Sequence, residues 1–310
     1  MARAKAASSG QGEEMSDPAQ AEQETEDSAL EEGKVFDYIT GNPVKDTEKE
    51  RVRQRIARAI IHEYGIAAED MEPDYGVKVA GRNKRIDIAI FRPGTPHEDQ
   101  NLYRAVAVDK EPKVGTKGAY RMRDPDEARK EFQLLEAVMA EVEACEYGLW
   151  TNGLEFFFFR KEVTRFDTRF KPIADWPMGD ETIGTREGAS LARMRRADPV
   201  MLRTAFRRCH NYIHGNEGMP KDAAFWQFLY LIFCKMYDER RLGEQRVFRA
   251  GPYEPFSPEG QKEIRRRIVP LFEAVKRAYP DLFKGNEEIT LSDRALAFIV
   301  SELPRYDFAR

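Results

Sequence analysis

The chain has 310 residues, of which 41% are hydrophobic and 34% charged, and a net charge of −4, which is typical of a polar globular protein with room for about two domains. Its three cysteines, Cys145, Cys209 and Cys234, have no paired spacing, which argues against a disulfide framework and a cysteine-ligated zinc site. The longest apolar stretch, residues 225–234, is too short to span a bilayer and no signal peptide is visible, so we expect a cytoplasmic protein without a membrane anchor.

Acidic residues are concentrated at the start of the chain. Residues 1–34 contain nine acidic and three basic residues, a net charge of −6, so the rest of the chain carries +2 against the total of −4. Residues 1–33 also lack aromatic and almost all branched aliphatic side chains, a composition that cannot offset the entropy of ordering. We therefore predict a disordered acidic tail over 1–33 and a mildly basic folded part, which permits a nucleic-acid partner.

Residues 34–178 are predicted to form one α/β domain. An N-cap at Asp46 or Thr47, apolar residues at helical spacing and Gly65 predict a first helix that ends at residue 64. The remaining predicted elements are strands over 74–81, 85–92 and 103–113, a helix over 125–143, and two strands joined by an Asn152-Gly153 turn. The expected fold is a mixed sheet flanked by helices.

Residues 179–310 are predicted to form a second, α-helical domain. Apolar residues at a period of 3.6 predict helical segments over 188–214, 221–240, 258–278 and 291–303. The segment 225–237 is apolar almost all round, which predicts a helix at the centre of this domain.

Two predicted strands carry carboxylates that are unusual for buried strands. RIDIAIF (85–91) contains Asp87, and AVAVDKEPK (105–113) ends in Asp109, Glu111 and Lys113. If the second strand continues to residue 113, its odd-numbered side chains share one face, about 4.8 Å from the neighbouring strand. Mg²⁺ bound by Asp87, Asp109 and Glu111 would relieve the repulsion between them, and Lys113 beside the metal would support phosphodiester hydrolysis.

A structural ion-pair network is the alternative interpretation of the same residues. Arg85, Lys110 and Lys113 could neutralise the carboxylates at a sheet edge, and Pro112 is typical of an edge or a strand end. From spacing alone the two interpretations have equal weight.

Three helical residues are candidates for supporting roles at this site. They are Glu50 as a further carboxylate, and Gln133 and Glu131 to orient a water molecule or contact a phosphate. The alternative for each is an ordinary solvated position on a helix surface.

The order of these motifs resembles the restriction-endonuclease-like N-terminal domain of type I restriction enzyme R subunits, which belongs to the PD-(D/E)xK nuclease superfamily. The likeness covers residues 38–162 and rests on TEKERVRQ, RIDIAIF, AVAVDKEPK, EFQLLEAVM and YGLWTNGLEFFFF. The TNG turn before an aromatic strand is the more specific part, whereas D…ExK alone is a weak signal. The resemblance implies a DNA substrate, Mg²⁺ as cofactor and Asp87 as a metal ligand.

The (D/E)xK element fits the sequence in two registers. Glu111-Pro112-Lys113 satisfies it fully and is the register we favour. Asp109-Lys110-Glu111 places glutamate in the lysine position, which would imply a crippled enzyme.

Residues from about 195 to the end resemble the helical segment that precedes the catalytic domain in N-6 adenine DNA methyltransferases. The likeness rests on RTAFRRCHNYIHGNEGMPKDAAFWQFLYLIFCKMYDERR. The sequence has no glycine-rich loop for S-adenosylmethionine after a strand and no Asn/Asp-Pro-Pro-Tyr/Phe motif, and it ends at ELPRYDFAR, where a methylase core would begin. We therefore expect no S-adenosylmethionine site in this chain and a methyltransferase or other restriction–modification subunit as partner.

Basic residues in the predicted helices are candidates for contacts to double-stranded DNA. They cluster in RMRRADPVMLRTAFRRCHNYIHG and in EIRRRIVP, from which we select Arg207, Arg208 and Arg266.

Together these patterns predict a Mg²⁺-dependent endonuclease-like domain joined to a methyltransferase-type helical domain, in a restriction–modification or phage-defence system. The alternative is a non-catalytic DNA-binding or scaffold module of an adenine methyltransferase.

Overall fold

The computed structural model describes residues 32–112, 122–177, 199–241 and 246–308. Most of the predicted acidic tail, Lys113 and the arginines before residue 199 lie outside these ranges. The chain forms two compact units. In its described part, the first unit comprises residues 32–37 and 41–46, where β1 (Lys34–Phe36) pairs with β2 (Pro43–Lys45) in an antiparallel ribbon.

The second unit, residues 38–40 and 47 onward, contains a six-stranded sheet and six α-helices in its described part. Its strands are β3 (Met71–Val79), β4 (Arg82–Phe91), β5 (Leu102–Val108), β6 (Tyr147–Thr151), β7 (Phe156–Val163) and β8 (Thr168–Ile173). Its helices are α1 (Glu48–Tyr64), α2 (Gln133–Glu141), α3 (Pro199–Asn216), α4 (Lys221–Arg240), α5 (Pro258–Ala278) and α6 (Asp293–Glu302).

The sheet has its strands in sequence order, β3 to β8, and β5 and β6 are parallel while the other neighbours are antiparallel. Along β5, Ala105 and Ala107 pack in the core that includes α2, whereas Val106 and Val108 pack in the core that includes α1. The two helices therefore cover opposite faces of the sheet. The predicted fold class, a mixed α/β sheet flanked by helices with a C-terminal helical region, is confirmed.

Helix α1 illustrates how local sequence sets the element bounds. The Thr47 hydroxyl accepts a hydrogen bond of 3.1 Å from the Glu50 N–H, and Gly65 closes the helix with a positive φ of 64°. A side-chain cap and a left-handed glycine are the usual end signals of a helix. The predicted bounds of this helix are confirmed.

Three expectations about elements were wrong, and one strand was not expected at all. The third strand ends at Val108, not residue 113, and the predicted helix over 125–143 is a short 3-10 turn (Arg129–Phe132) followed by α2. Strand β8 was missed. Helix α4 is not buried all round, because Phe225 and Trp226 are about half exposed.

The helical region α3–α6 has its own apolar core. It includes Phe228, Leu231, Ile268, Phe272 and Leu296. Within the ranges that the structure describes, every helix is too short or too polar to cross a membrane.

Candidate functional site

Asp87 lies in β4 at the point where the pairing with β5 stops. The ladder between these strands begins with Ile88 opposite Val106. The Asp87 Oδ2 atom accepts a hydrogen bond of 2.7 Å from the Val108 N–H, so the carboxylate takes the place of a main-chain partner at the end of β5. The residue is 8% exposed, as its position in an apolar strand predicts.

The other oxygen of Asp87 is bound by a cation from α1. Lys49 Nζ lies 2.6 Å from Asp87 Oδ1, and the lysine side chain is half exposed. Burial raises the pKa of the Asp87 carboxyl above its ordinary value, and the hydrogen bonds from Lys49 and the Val108 N–H act in the opposite direction. Asp87 is therefore a buried carboxylate whose ionised form is costly.

Glu111 is held by two arginines from different helices. Arg55 of α1 donates to Glu111 Oε2 at 3.1 Å, and Arg207 of α3 donates to Oε1 at 2.5 Å. The Glu111 side chain is partly exposed. Neither oxygen of this carboxylate is left without a cationic partner.

The turn Asn152-Gly153 supports Arg55. Gly153 has a positive φ of 83°, and a Cβ at this position would lie 2.1 Å from Arg55 Nη2. The Asn152 side chain closes the turn by accepting hydrogen bonds from the N–H groups of Leu154 and Glu155 at 3.0 and 2.8 Å. Glycine is needed here both for its backbone conformation and for the close approach of the guanidinium.

Asp109 and Glu50 are also accounted for by local partners. Asp109 is exposed just after β5, its N–H bonds the Thr151 carbonyl at 2.8 Å and its Oδ1 accepts from the Lys110 N–H at 2.7 Å. Glu50 accepts hydrogen bonds from Arg53 at 2.8–3.0 Å and from Gln54. Because the strand ends at Val108, the shared face proposed for residues 109–113 does not form over the described residues 109–112.

An acidic neighbour of Asp87 that the sequence did not suggest is Asp74. It lies between Pro73 and Tyr75, which pair with Ile88 and Ile86 on either side of Asp87. It has a positive φ of 52° and binds Arg53 Nη1 at 3.2 Å. Its charge adds to the rise in the pKa of Asp87. The cations Lys49 and Arg53 were equally hidden, since long basic side chains on a polar helix face give no sequence signal for a partner.

The remaining predicted site residues lie apart from Asp87 or are engaged elsewhere. Gln133 is exposed at the start of α2, which covers the other face of the sheet, and Glu131 pairs with Arg123 at 3.1 Å. Arg266 is exposed and pairs with Glu263. Lys113 lies outside the described residues.

Arg208 is buried. Its guanidinium bonds both oxygens of Glu302 at 2.6 and 3.1 Å and the Leu154 carbonyl at 2.8 Å, and it lies 4.0 Å from the centre of the Phe156 ring. Because its donors are bound by α6 and the sheet, Arg208 is not available for the predicted contact to DNA.

As arranged, the described carboxylates do not fit a Mg²⁺ site. Asp87 and Glu111 point their oxygens at Lys49, Arg55 and Arg207, which occupy the directions that a cation ligand would need. Within the described ranges, no group of three or more His, Cys, Asp or Glu side chains is placed to hold a metal ion.

This arrangement lies in a segment with a recognisable relative. Residues 48–177 match the family model of the type I restriction enzyme R protein N terminus (HSDR_N). We call this segment the R-protein-like region. It contains α1, α2, β3–β8 and the carboxylates discussed above.

The match confirms the predicted likeness to the R-subunit N-terminal domain. It ends before α3, so the likeness of the helical region to adenine methyltransferases rests on the sequence motifs alone. No curated protein matches the chain.

Proposed function

We propose that this chain is a DNA-binding component of a restriction–modification or phage-defence system, whose R-protein-like region holds duplex DNA at the end of the sheet where β5 and β6 terminate. The match of residues 48–177 to a restriction enzyme domain supports a DNA-acting role. The observation that supports a non-catalytic role is that basic side chains form ion pairs with both Asp87 and Glu111. Paired carboxylates do not repel phosphates as free ones would.

The basic side chains that pair with these carboxylates are themselves suited to binding phosphate. Lys49 and Arg207 are each about half exposed. Arg207 can turn from the partly exposed Glu111 to a DNA phosphate at small cost, because exposed ion pairs are weak. Lys49 stays on the buried Asp87 and can bind a phosphate at the same time through another of its three N–H donors. Such contacts position a duplex without reading its sequence.

Anisotropy of a labelled duplex of about 25 base pairs, titrated at several salt concentrations, tests this function. We expect binding with a Kd of about 10⁻⁶ M at low salt that weakens as salt rises. The double variant Lys49→Ala/Arg207→Ala should bind several-fold more weakly, and Lys221→Ala, the loss of an exposed charge at the start of α4, should match wild type. Salt-independent binding or no binding by wild type would contradict the proposal.

The second candidate is a Mg²⁺-dependent endonuclease that uses Asp87, Glu111 and Lys113, with Asp109 as an accessory ligand. The observation in its favour is the raised pKa of the buried Asp87, since perturbed carboxylates are common at catalytic sites. It requires Lys49, Arg55 and Arg207 to leave the carboxylates when DNA binds. Metal-dependent cleavage of supercoiled plasmid is its direct test.

We also propose that the helical region α3–α6 engages an adenine methyltransferase or another restriction–modification subunit, and that the protein acts in the cytoplasm. This rests on the sequence likeness of residues from about 195 onward. Co-expression with a candidate methyltransferase followed by gel filtration tests it, with the full-chain variant Phe225→Ser/Trp226→Ser, which changes two half-exposed side chains of α4, as the comparison. Equal co-elution of both forms would contradict a role for α3–α6.

A further inference from the structure

Strands β3 and β4 continue past the rest of the sheet as a two-stranded ribbon. The described ladder between β4 and β5 begins at Ile88, whereas β4 itself begins at Arg82. Over residues 82–87, β4 therefore pairs with β3 alone in the described sheet. At about 3.3 Å per residue this ribbon is about 20 Å long.

A tight turn gives the ribbon a defined shape. Val79 pairs with Arg82, which leaves Ala80 and Gly81 as a two-residue loop. Both loop residues have positive φ, 47° and 75°. Two positive φ angles are characteristic of a type I′ turn, whose twist matches that of the flanking strands. The ribbon is an ordered arm that ends in a sharp hairpin.

The outer part of the ribbon, residues 76–85, carries positive charge and no negative charge. Between Tyr75 and Ile86 the sequence contains four basic residues and no acidic residue. These are Lys78, Arg82, Lys84 and Arg85, and all four are exposed. Among the described residues none of the four has an ion-pair or hydrogen-bond partner for its side chain. In this they differ from Lys49, Arg55 and Arg207.

The two faces of the ribbon differ in what covers them. Val77 and Ile86 are fully buried in the core that includes α2, and their cross-strand neighbours place Lys84 on the same side. On the other side every residue of the outer part is exposed. We define this open face as Gly76, Lys78, Asn83 and Arg85. Beyond Arg85 and Ile86, β4 continues to Asp87, whose carboxylate pairs with Lys49 of α1.

We infer that the open face of the ribbon enters a groove of duplex DNA, with Lys78 and Arg85 against phosphates and Asn83 between them. This inference rests on the proposed DNA-binding function and identifies the surface that performs it. The major groove of B-form DNA admits a two-stranded β-ribbon, and a run of unpaired cations with no acidic residue between them matches a phosphate backbone. Gly76 has no side chain and the Asn83 side chain lies beside it, so a DNA group that approaches this part of the face meets the Asn83 amide.

The position of the ribbon determines the path of the bound DNA. Because Asp87 lies at the base of the ribbon, a duplex held on the open face runs beside the carboxylates at the end of β5. An acidic peptide would satisfy the charges but has no need of an arm of this length and shape. Duplex DNA is therefore the partner to which the inference commits.

The test compares two double variants of the full chain that lose the same charge from the same hairpin. Lys78→Ala/Arg85→Ala changes the open face, and Arg82→Ala/Lys84→Ala changes the side covered by α2. Anisotropy with the labelled duplex should show about tenfold weaker binding for the open-face variant at moderate salt, and a slope of log K against log salt reduced by about 2. The control variant should stay within about threefold of wild type.

Three results would overturn the inference. Equal weakening of both variants would indicate general charge attraction without an open-face contact. Unchanged binding by both, with wild type binding normally, would leave the DNA-binding function intact and place its surface elsewhere. No binding by wild type would remove both the inference and the proposed function.

A variant that keeps all charges separates close contact from electrostatic attraction. A Cβ at Gly76 would meet only the end of the Asn83 side chain, at 3.0 Å, and Gly76 has no positive φ, so Gly76→Val is compatible with the fold. We expect it to weaken binding by about threefold to tenfold with an unchanged salt slope. Binding equal to that of wild type would show that DNA does not approach this face.

Discussion

Arg207 and Arg208 are neighbours on α3, and each pairs with a glutamate, yet the two pairs serve different ends. The Arg207 side chain is 48% exposed and its partner Glu111 27%, whereas Arg208 and Glu302 are 4% and 6% exposed. An exposed pair contributes little and can exchange its partner, while a buried pair cannot lose one member without leaving a charge away from water. Exposure therefore separates arginines available to DNA from those that hold the fold.

The largest expected effect is on the buried pair. Arg208→Ala should lower the free energy of unfolding by about 3 kcal/mol, because Glu302 keeps only a distant contact to Arg305 at 3.8 Å and the Leu154 carbonyl loses its donor. Urea denaturation measures it. Arg207→Ala, one residue away, is the control and should cost less than about 1 kcal/mol. Equal costs would remove the distinction between the two pairs.

The next effect concerns the support for Arg55 at the exposed pair. Gly153→Ala should destabilise the protein by about 2 kcal/mol, because the new Cβ needs a positive φ and displaces the Arg55 guanidinium. Gly218→Ala isolates the backbone contribution, since Gly218 has a φ of 66° with open space around it. Thermal or urea unfolding of both variants gives the difference, and similar losses would mean that Arg55 moves aside freely.

A smaller effect, an increase in the free energy of unfolding, is expected for a substitution at Asp87. The pKa of the Asp87 carboxyl is higher in the folded than in the unfolded protein. The contribution of this group to stability is therefore fully present below the unfolded pKa and is lost as the pH rises through the folded pKa. Asp87→Asn, which can still accept from the Val108 N–H, should therefore stabilise the protein at pH 8 by about 1 kcal/mol.

The pH dependence provides the check on that variant. The gain from Asp87→Asn should shrink as the pH is lowered towards the unfolded pKa of the carboxyl, about 4. Asp109→Asn, at an exposed position, should change stability by less than about 0.5 kcal/mol at either pH. A destabilised Asp87→Asn protein at pH 8 would show that the Lys49 pair outweighs the cost of burial.

The smallest expected effect is that of Mg²⁺ on the free protein. Since Asp87 and Glu111 already have cationic partners, Mg²⁺ should raise Tm by less than about 1 °C over NaCl of equal ionic strength. Arg207→Ala frees one oxygen of Glu111 and is the informative second sample. A rise of several degrees in wild type, absent in Asp87→Ala, would indicate that the metal displaces the cations.

The sequence predicted those features that local patterns determine. Thr47 and Gly65 mark the ends of α1. The apolar residues of RIDIAIF correctly placed Asp87 in a buried strand. The end of β5 was missed because AVAVDKEPK keeps its alternation beyond Val108. There the Asp87 carboxylate takes up the Val108 N–H, which is a tertiary contact, and the chain leaves the sheet after one further bond from the Asp109 N–H to the Thr151 carbonyl.

The partners of the carboxylates were beyond local reasoning. Arg207 and Arg208 occupy one run of arginines, and only the packing of α3 against the sheet decides which of them is buried. The pairs Arg55–Glu111 and Arg207–Glu111 join residues 56 and 96 positions apart. No periodicity carries information over such separations, so the arginine partners of Glu111 could not be predicted from the sequence.

Cleavage of supercoiled plasmid by the full chain in Mg²⁺ or Mn²⁺, measured beside duplex binding in the same preparation, tests the central claim most directly. Because Lys49, Arg55 and Arg207 hold the carboxylates, we predict salt-sensitive binding without metal-dependent nicking. Nicking that Asp87→Ala and Lys113→Ala both abolish would contradict the account and establish the endonuclease in the Glu111-Pro112-Lys113 register.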